Sequence, residues 1–372
     1  MQYSGKFREF IQCAVYGGRN MCRDNTKQHV TKDLYDYDAC SLYPSAIHRL
    51  KLATGKPIVI PQESCNKTIL NHLMLEQQLE PTYERYISAF IVKIEITKVN
   101  KHLHFPIITK KDKKVIIIVD NIMLEDMIKF QQIEFNIIRG YYWTGCKSNI
   151  INLRSQLKKE GNPLQNNYKL LMNSSYGKTI QKPIKNDLVY KYINNKVKCD
   201  SDRYLKKNFT LVRSMYDISD NIRFMCLAED LNIDIYYQDT DSVHINKNKI
   251  ELLEQKYKEI YGKTLRGGEL EQFHPDSDEL SEDVYSKESY FLGKKAYIDV
   301  LTNDKQEHDL HMRMKGIPNN LLENNKNSIE LYKKLYAGES YTFNLLELKP
   351  SFEFSKTFDI KTRENFTRKI QF

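Results

Sequence analysis

The 372-residue sequence has a single tryptophan, and its seven cysteines (positions 13, 22, 40, 65, 146, 199 and 226) include no C-x-x-C pair. An odd, dispersed set argues against a disulfide framework and against a cysteine zinc site, and suits a reducing compartment. No apolar run approaches the ~20 residues of a membrane-spanning helix. The stretch Val115-Ile116-Ile117-Ile118-Val119 is too short and reads as a buried strand. Residues Met1 to Glu9 lack the apolar centre of a secretory signal. There is no internal repeat and no low-complexity linker. The expectation is an intracellular chain without a membrane anchor.

What is present is a basic, moderately apolar chain. Apolar residues make up 41%, the formal net charge is +9, the mean hydropathy is −0.60 and the pI about 8.9. That is enough apolar material for one large multi-lobed unit or two to three domains, and the charge suits a polyanionic partner. The 25 tyrosines and 16 phenylalanines supply core and, for some, stacking surfaces for bases.

The stretch Tyr236-Tyr237-Gln238-Asp239-Thr240-Asp241-Ser242 carries the most chemistry. β-prone residues flank it on both sides, so it reads as a hairpin with two carboxylates at its bend. In an extended chain Asp239 and Asp241 would point to one face, where their repulsion invites a cation. A Mg²⁺-type site of oxygen ligands and an ordinary polar turn both fit this stretch alone.

Upstream, Leu34-Tyr35-Asp36-Tyr37-Asp38 is a strand-like run ending in a carboxylate. It leads through Ser41-Leu42-Tyr43-Pro44 toward a helix that Pro44 can open. The amides of such a turn can cradle phosphate oxygens. Tyr16-Gly17-Gly18-Arg19 allows close backbone approach, with an arginine able to meet a phosphate. Residues 60–147 read as a β-rich segment with a helix near 122–131, and His102 and His104 are expected on one strand face. Residues 147–178 read as two helices split at Gly161-Asn162-Pro163. The first carries Arg154 and Lys158, the second Lys169, Asn173 and Tyr176 along one stripe, closed by Gly177. Residues 178–215 are basic and strand-prone, 217–231 helical, 276–288 an acidic loop, and 319–337 helical. Lys295 and Tyr297 are expected on one face of a strand.

In order, these pieces resemble the motifs of family B DNA polymerases, and within them the protein-primed branch of phages, linear plasmids and related viruses. Asp38-x-x-Ser41-Leu42-Tyr43-Pro44 is similar to the first polymerisation motif. Lys169-x-x-x-Asn173-Ser174-x-Tyr176-Gly177 is similar to the second, Tyr237-x-Asp239-Thr240-Asp241-Ser242 to the third, and Lys295-x-Tyr297 to the basic primer-strand motif. Tyr16-Gly17-Gly18 is similar to the element that joins exonuclease to polymerase. Asp38 and Lys169 are 131 positions apart, and Lys169 and Asp241 are 72 apart. Both gaps have room for that branch's two insertions, one gripping the priming protein and one encircling DNA. The family's exonuclease would precede Tyr16, where only about 15 residues stand, so the expectation is no proofreading in this chain.

The resemblance implies an α+β right-hand fold: a palm with an antiparallel sheet, helical fingers, a small thumb and the two insertions. Its divisions would be a Tyr-Gly-Gly segment at 1–30, palm at 31–60, a first insertion at 61–147 and fingers at 148–178. A second insertion would follow at 179–215, palm again at 216–300 and thumb at 301–372. It implies two Mg²⁺ ions (Mn²⁺ as the substitute) on Asp38 and Asp241, with Asp239 in support. Lys169, aided by Arg154 and Lys158, would bind phosphates, and Asn173, Ser41 and Leu42 would help seat the nucleotide. Tyr43 would exclude a 2′-hydroxyl. Tyr16, Gly17, Gly18, Tyr176, Gly177, Tyr237, Thr240, Lys295 and Tyr297 would meet primer, template or nascent pair. The implied partners are primer-template DNA, deoxynucleoside triphosphates, a terminal priming protein and a separate exonuclease-bearing chain, at a viral replication site or on a mitochondrial plasmid. Two rivals stand beside this reading. One is a polymerase-like DNA-binding module without catalysis; the other is a reverse transcriptase, whose paired carboxylates would be adjacent rather than separated by Thr240.

Overall fold

The computed structural model of the chain describes residues 5–14, 16, 18–40, 51–60, 62, 87, 89–108, 115–148, 160–163, 187–193, 196–203, 216–268, 272–275, 284–323, 327–345, 352–354, 360–362 and 367–372. The described strands are β1 (Asn20–Cys22), β2 (Gln28–Val30), β3 (Leu34–Ala39), β4 (Lys51–Thr54), β5 (Ile58–Ile60), β6 (Ala89–Val99), β7 (Val115–Asp120), β8 (Ile133–Trp143), β9 (Gly145–Ser148), β10 (Asp187–Ile193), β11 (Lys196–Arg203), β12 (Ile235–Asp239), β13 (Ser242–Asn246), β14 (Phe273–Pro275), β15 (Tyr285–Gly293), β16 (Ala296–Thr302), β17 (His308–Met314), β18 (Tyr341–Asn344), β19 (Phe352–Phe354), β20 (Ile360–Thr362) and β21 (Thr367–Ile370). The described α-helices are α1 (Gly5–Gln12), α2 (Asn121–Gln131), α3 (Tyr216–Asp230), α4 (Ile250–Tyr261), α5 (Asn319–Glu323) and α6 (Ser328–Tyr336). Helices and antiparallel sheets make the chain α+β. It divides into two compact units, one of residues 1–17, 41–102 and 106–222, the other of 18–40, 103–105 and 223–372.

In the first unit a four-stranded antiparallel sheet runs in the order β5-β8-β6-β7. The long strands β6 and β8 alternate valine, isoleucine and aromatic residues with polar ones, which is the pattern a sheet with one buried face requires. The lone tryptophan, Trp143, is fully buried with Phe10, Ile11, Ala14 and Ile91, and burying each such large side chain contributes roughly 1.5–3 kcal/mol. α2 starts at Asp120, whose carboxylate accepts from the Met123 amide at 2.9 Å, and it ends at Gln132 in a left-handed cap. The basic stretch past residue 178 contributes the antiparallel hairpin β10–β11.

In the second unit the sheet runs β1-β12-β13-β3-β15-β16-β17, with β14 beside β3 and β2 beside β15. Its halves join weakly, since β3 and β15 share only the pair Ser286–Leu34. On one flank Phe224 of α3 stacks on Phe273 of β14 at 4.8 Å. On another, α5 and α6 lay Leu322, Leu331, Tyr332 and Leu335 over Tyr290, Ile298, Met312 and Met314.

Several local expectations change. Strand β17 pairs along the whole of β16, because Leu310, Met312 and Met314 alternate toward the same core as α6. The acidic stretch past 276 has become strand by Tyr285, where Tyr290, Phe291 and Leu292 need burial. The helical run at 319–337 is two helices, α5 and α6. His102 and His104 do not share a strand face, as β6 stops at Val99.

Candidate active site

Strands β12 and β13 form the expected hairpin, closed by the pair Asp239–Ser242, so that Thr240 and Asp241 are its two-residue loop. Such a loop needs a positive φ at its first residue, and Thr240 supplies it at 56°. A β-branched residue there is strained by about 1–3 kcal/mol. The surroundings hold it. The Thr240 amide donates to the Arg19 carbonyl at 2.6 Å, and Gly18 abuts the Thr240 side chain so closely that a Cβ at Gly18 would overlap it. This is the physical use of the second glycine of Tyr-Gly-Gly, and the demand is for space. It also corrects the reading of Asp239 and Asp241 as one face of an extended strand. Asp239 ends β12, whereas Asp241 sits in the reversal itself.

Asp38 lies near the end of β3, opposite Ser242 of β13 and opposite His274 of β14. The amide of the next residue, Ala39, donates to the Asp241 carbonyl at 2.9 Å. Asp38, near the end of a strand, and Asp241, in the hairpin loop, are 203 positions apart, and this bond joins their backbones. Two carboxylates drawn near one another repel, and a cation between them relieves the repulsion. Both residues are partly exposed, and they offer only oxygen donors, the donor set that suits a hard divalent cation such as Mg²⁺. Asp239 faces the Lys295 ammonium at 3.4 Å. Lys295 is largely exposed, so this pair orients more than it stabilises.

Lys295 and Tyr297 do not share a strand face. Lys295 lies in the β15–β16 turn with φ 54°, and its side chain is exposed, while Tyr297 is 4% exposed in the core. Tyr237 is fully buried, stacked on Phe291 at 5.2 Å and tilted against Tyr297 at 5.0 Å. Both rings are packed inside the protein in this structure, with no open ring face for a base to stack on. Their burial follows from the alternation that puts Tyr237, His244 and Tyr297 on one face. Burial pushes the Tyr237 phenol well above its usual range, so it stays a neutral donor and acceptor. Its hydroxyl donates to Asn20 Oδ1 at 3.0 Å and accepts from the Lys295 amide at 2.9 Å. Asn20 Oδ1 takes the same amide at 3.1 Å. Tyr237 thus ties the turn of Lys295 to the strand of Asp239. Tyr237→Phe is expected to destabilise the unit by about 1–2 kcal/mol, read as a lowered denaturant midpoint at unchanged slope.

Asp36, two residues before Asp38 and so on the same face, belongs to a different cluster. His244, its cross-strand partner, approaches Asp299 at 2.9 Å and Asp36 at 3.4 Å. Burial raises the Asp299 carboxyl, but the neighbouring His244 and His311 imidazoles and the Ser289 hydrogen bond outweigh it and hold the group below its usual value. Sequence inspection missed Asn20, His244, Asp299 and His311. His244 and Asp299 fall on inward positions of their strands, a visible signal, but nothing local says what they meet.

Arg19 is turned to the protein: its guanidinium donates to the Phe105 carbonyl at 2.7 Å instead of presenting itself to a phosphate. In the first unit, the Tyr16 hydroxyl donates to the Ile118 carbonyl at 3.1 Å. Gly17, Ser41, Leu42, Tyr43, Arg154, Lys158, Lys169, Asn173, Tyr176 and Gly177 lie outside the described residues.

The site thus has a strand-borne carboxylate beside a D-T-D hairpin, in a chain whose residues 1–260 match the family described as DNA polymerase type B, organellar and viral; the chain belongs to that family. Its fold is similar to that of Phi29 DNA polymerase. Against the complex with primer-template DNA the TM-score is 0.69 at 16% identity, covering 100% of this chain and 63% of that one. Against the orthorhombic crystal form it is 0.68 at 16%, covering 100% and 64%. Against the complex with primer-template DNA and incoming nucleotides it is 0.64 at 15%, covering 100% and 63%. The chain therefore spans a little under two thirds of the Phi29 enzyme, and at these identities the likeness concerns the fold. No curated protein matches it in sequence. Among the described residues no helix is long and apolar enough to cross a membrane.

Proposed function

We propose that this chain is the polymerising part of a DNA-directed DNA polymerase, extending a primer 3′-hydroxyl with deoxynucleotides on a DNA template. The observation that supports the reading is the backbone bond from Ala39 to Asp241, which brings the backbones of the two motif aspartates together in a type B polymerase chain. The similarly folded Phi29 enzyme is described in complexes with primer-template DNA and incoming nucleotides. The experiment that tests it is a primer-extension assay on a primed DNA template with Mg²⁺, run beside an RNA template. No extension on either would leave the non-catalytic DNA-binding reading, and extension on RNA alone would make the chain a reverse transcriptase.

In this mechanism Asp38 and Asp241 would hold two divalent cations, Mg²⁺ or Mn²⁺, with Asp239 oriented by Lys295 in support. When bound, the cations acidify the attacking hydroxyl and neutralise the triphosphate. The protein's own work is alignment for in-line displacement at the α-phosphorus. Lys295, exposed at its turn, would meet the primer backbone, a contact that is salt-sensitive and indifferent to sequence. Tyr237 and Tyr297 act through the packing that fixes this turn. Lys169, Arg154 and Lys158 are assigned to the β- and γ-phosphates, Asn173, Ser41 and Leu42 to the nucleotide, and Tyr176 and Gly177 to the nascent pair, all from motif position.

Tyr43 is assigned to the sugar, where its ring would collide with a 2′-hydroxyl. Tyr43→Val is therefore expected to raise the ratio of ribonucleotide to deoxynucleotide incorporation by on the order of tenfold or more, about 1.4 kcal/mol. Competitive incorporation measures it, and an unchanged ratio places the sugar filter elsewhere.

The protein-primed branch is favoured by what fills the two long gaps between motifs. The first holds the β5-β8-β6-β7 sheet, the second the β10–β11 hairpin. We assign these to the insertions expected to grip a terminal protein and to surround DNA.

A further inference from the structure

We propose that Asp36, His244, Asp299 and His311 form a structural zinc site, buried in the second unit beneath the catalytic hairpin and separate from the Asp38–Asp241 pair. His244 Nε2 lies 2.9 Å from Asp299 Oδ2 and 3.4 Å from Asp36 Oδ2. His311 Nδ1 lies 3.7 Å from Asp36 Oδ2 and 4.0 Å from Asp299 Oδ2. Around a tetrahedral zinc ion with bonds of about 2.0–2.1 Å, ligand atoms sit about 3.3 Å from one another. The four separations bracket that value. The donor atoms of Asp36, His244 and Asp299 all lie within 4.8 Å of one another; His311 stands outside that set, within 4.0 Å of both carboxylates, and would complete the coordination by turning toward the ion.

The chemistry of the donors selects the metal. Two imidazole nitrogens with two carboxylate oxygens suit Zn²⁺, whereas Mg²⁺ and Ca²⁺ take oxygen throughout. Charge points the same way. His244 and Asp299 side chains are 1% exposed, Asp36 is 9% and His311 16%. Two carboxylates in so dry a place carry a desolvation cost of several kcal/mol each unless a positive charge sits between them. A single Nε2 proton on His244 points at one carboxylate oxygen at a time, but a divalent ion there serves both.

The surroundings are those of a held ligand set. Ser289 donates to Asp299 Oδ1 at 2.6 Å and is itself bonded to Ser286 at 2.7 Å, which orients the carboxylate as metal-site neighbours do. Tyr237, Phe291 and Tyr297 surround the His244 ring edge-on, with centroids at 5.4, 4.9 and 5.1 Å. The four ligands come from β3, β13, β16 and β17, so the ion would cross-link the two halves of the sheet at the place where backbone pairing is thinnest.

The full chain, purified without chelator in Mg²⁺ buffer, is expected to carry about one equivalent of zinc by elemental analysis. Asp299→Asn and His244→Gln are expected to lose it while keeping their far-ultraviolet circular dichroism. The Asp38→Asn, Asp241→Asn double variant is expected to keep it, so the result is independent of whether the chain polymerises DNA. In the unaltered protein, Co²⁺ exchanged for zinc is expected to give the intense visible bands of tetrahedral coordination, abolished by added Zn²⁺. This holds even if the single variants fail to fold. Absence of zinc together with absence of tetrahedral Co²⁺ bands overturns the proposal. So does zinc that persists in folded His244→Gln or disappears from the double variant.

Discussion

Asp241→Asn is expected to lower primer extension by on the order of 10³-fold, about 4 kcal/mol of transition-state stabilisation, while primer-template binding stays within a few-fold of the unaltered chain. The substitution keeps shape and removes one charge. The Asp241 backbone, whose carbonyl accepts from Ala39 at 2.9 Å, does not depend on the carboxylate, so the sheet should survive. What is lost is half of the negative charge that would hold the cations, and that loss acts on chemistry more than on DNA affinity, where phosphate contacts dominate. Single-turnover extension with binding measured in parallel separates the two. Full extension by the variant would remove Asp241 from the ligand set, whereas loss of binding alongside loss of extension would mean that the hairpin itself had come apart.

Gly18→Val should be nearly as damaging, by a different route. A side chain at residue 18 must occupy the space of the Thr240 side chain. The Thr240 turn is already strained and has its amide tied to Arg19, so it cannot yield without dragging Asp241 with it. Overpacking of this kind costs about 1–3 kcal/mol of stability, and a displacement near 1 Å at a reacting group costs on the order of 10²-fold in rate. The expected result is a folded protein, slightly lowered in its denaturant midpoint, with extension down by about that factor. Thr240→Ala, which shortens the obstructing side chain, should recover part of the loss when combined with it. Unimpaired extension by Gly18→Val would show that the glycine is there for some reason other than room.

The motifs that place this chain among type B polymerases were readable because each is compact. A D-T-D bend, a strand ending in aspartate and a pair of glycines are recognisable over a few residues, and their order does the rest. The hairpin β12–β13, the helices α2 and α3 and the strand-rich stretch before residue 147 follow from alternation and capping, which are local properties. The fate of individual side chains was less legible. Lys295 and Tyr297, two apart, looked like neighbours on a strand. A positive φ at Lys295 put one in solvent and the other in the core. Asp36 and Asp38 are also two apart, but the residue after Asp38 bonds to Asp241, while Asp36 meets His244.

Residue order alone thus settled the family, the α+β class and the identity of the carboxylates at the bend, because these depend on residue types at short spacing. The tertiary structure decided which distant groups meet: Ala39 with Asp241, Gly18 with Thr240, His244 with Asp36 and Asp299. These encounters are set by strand register across gaps of many residues. Register is fixed by how whole faces bury their apolar side chains, a property that no short window of sequence contains.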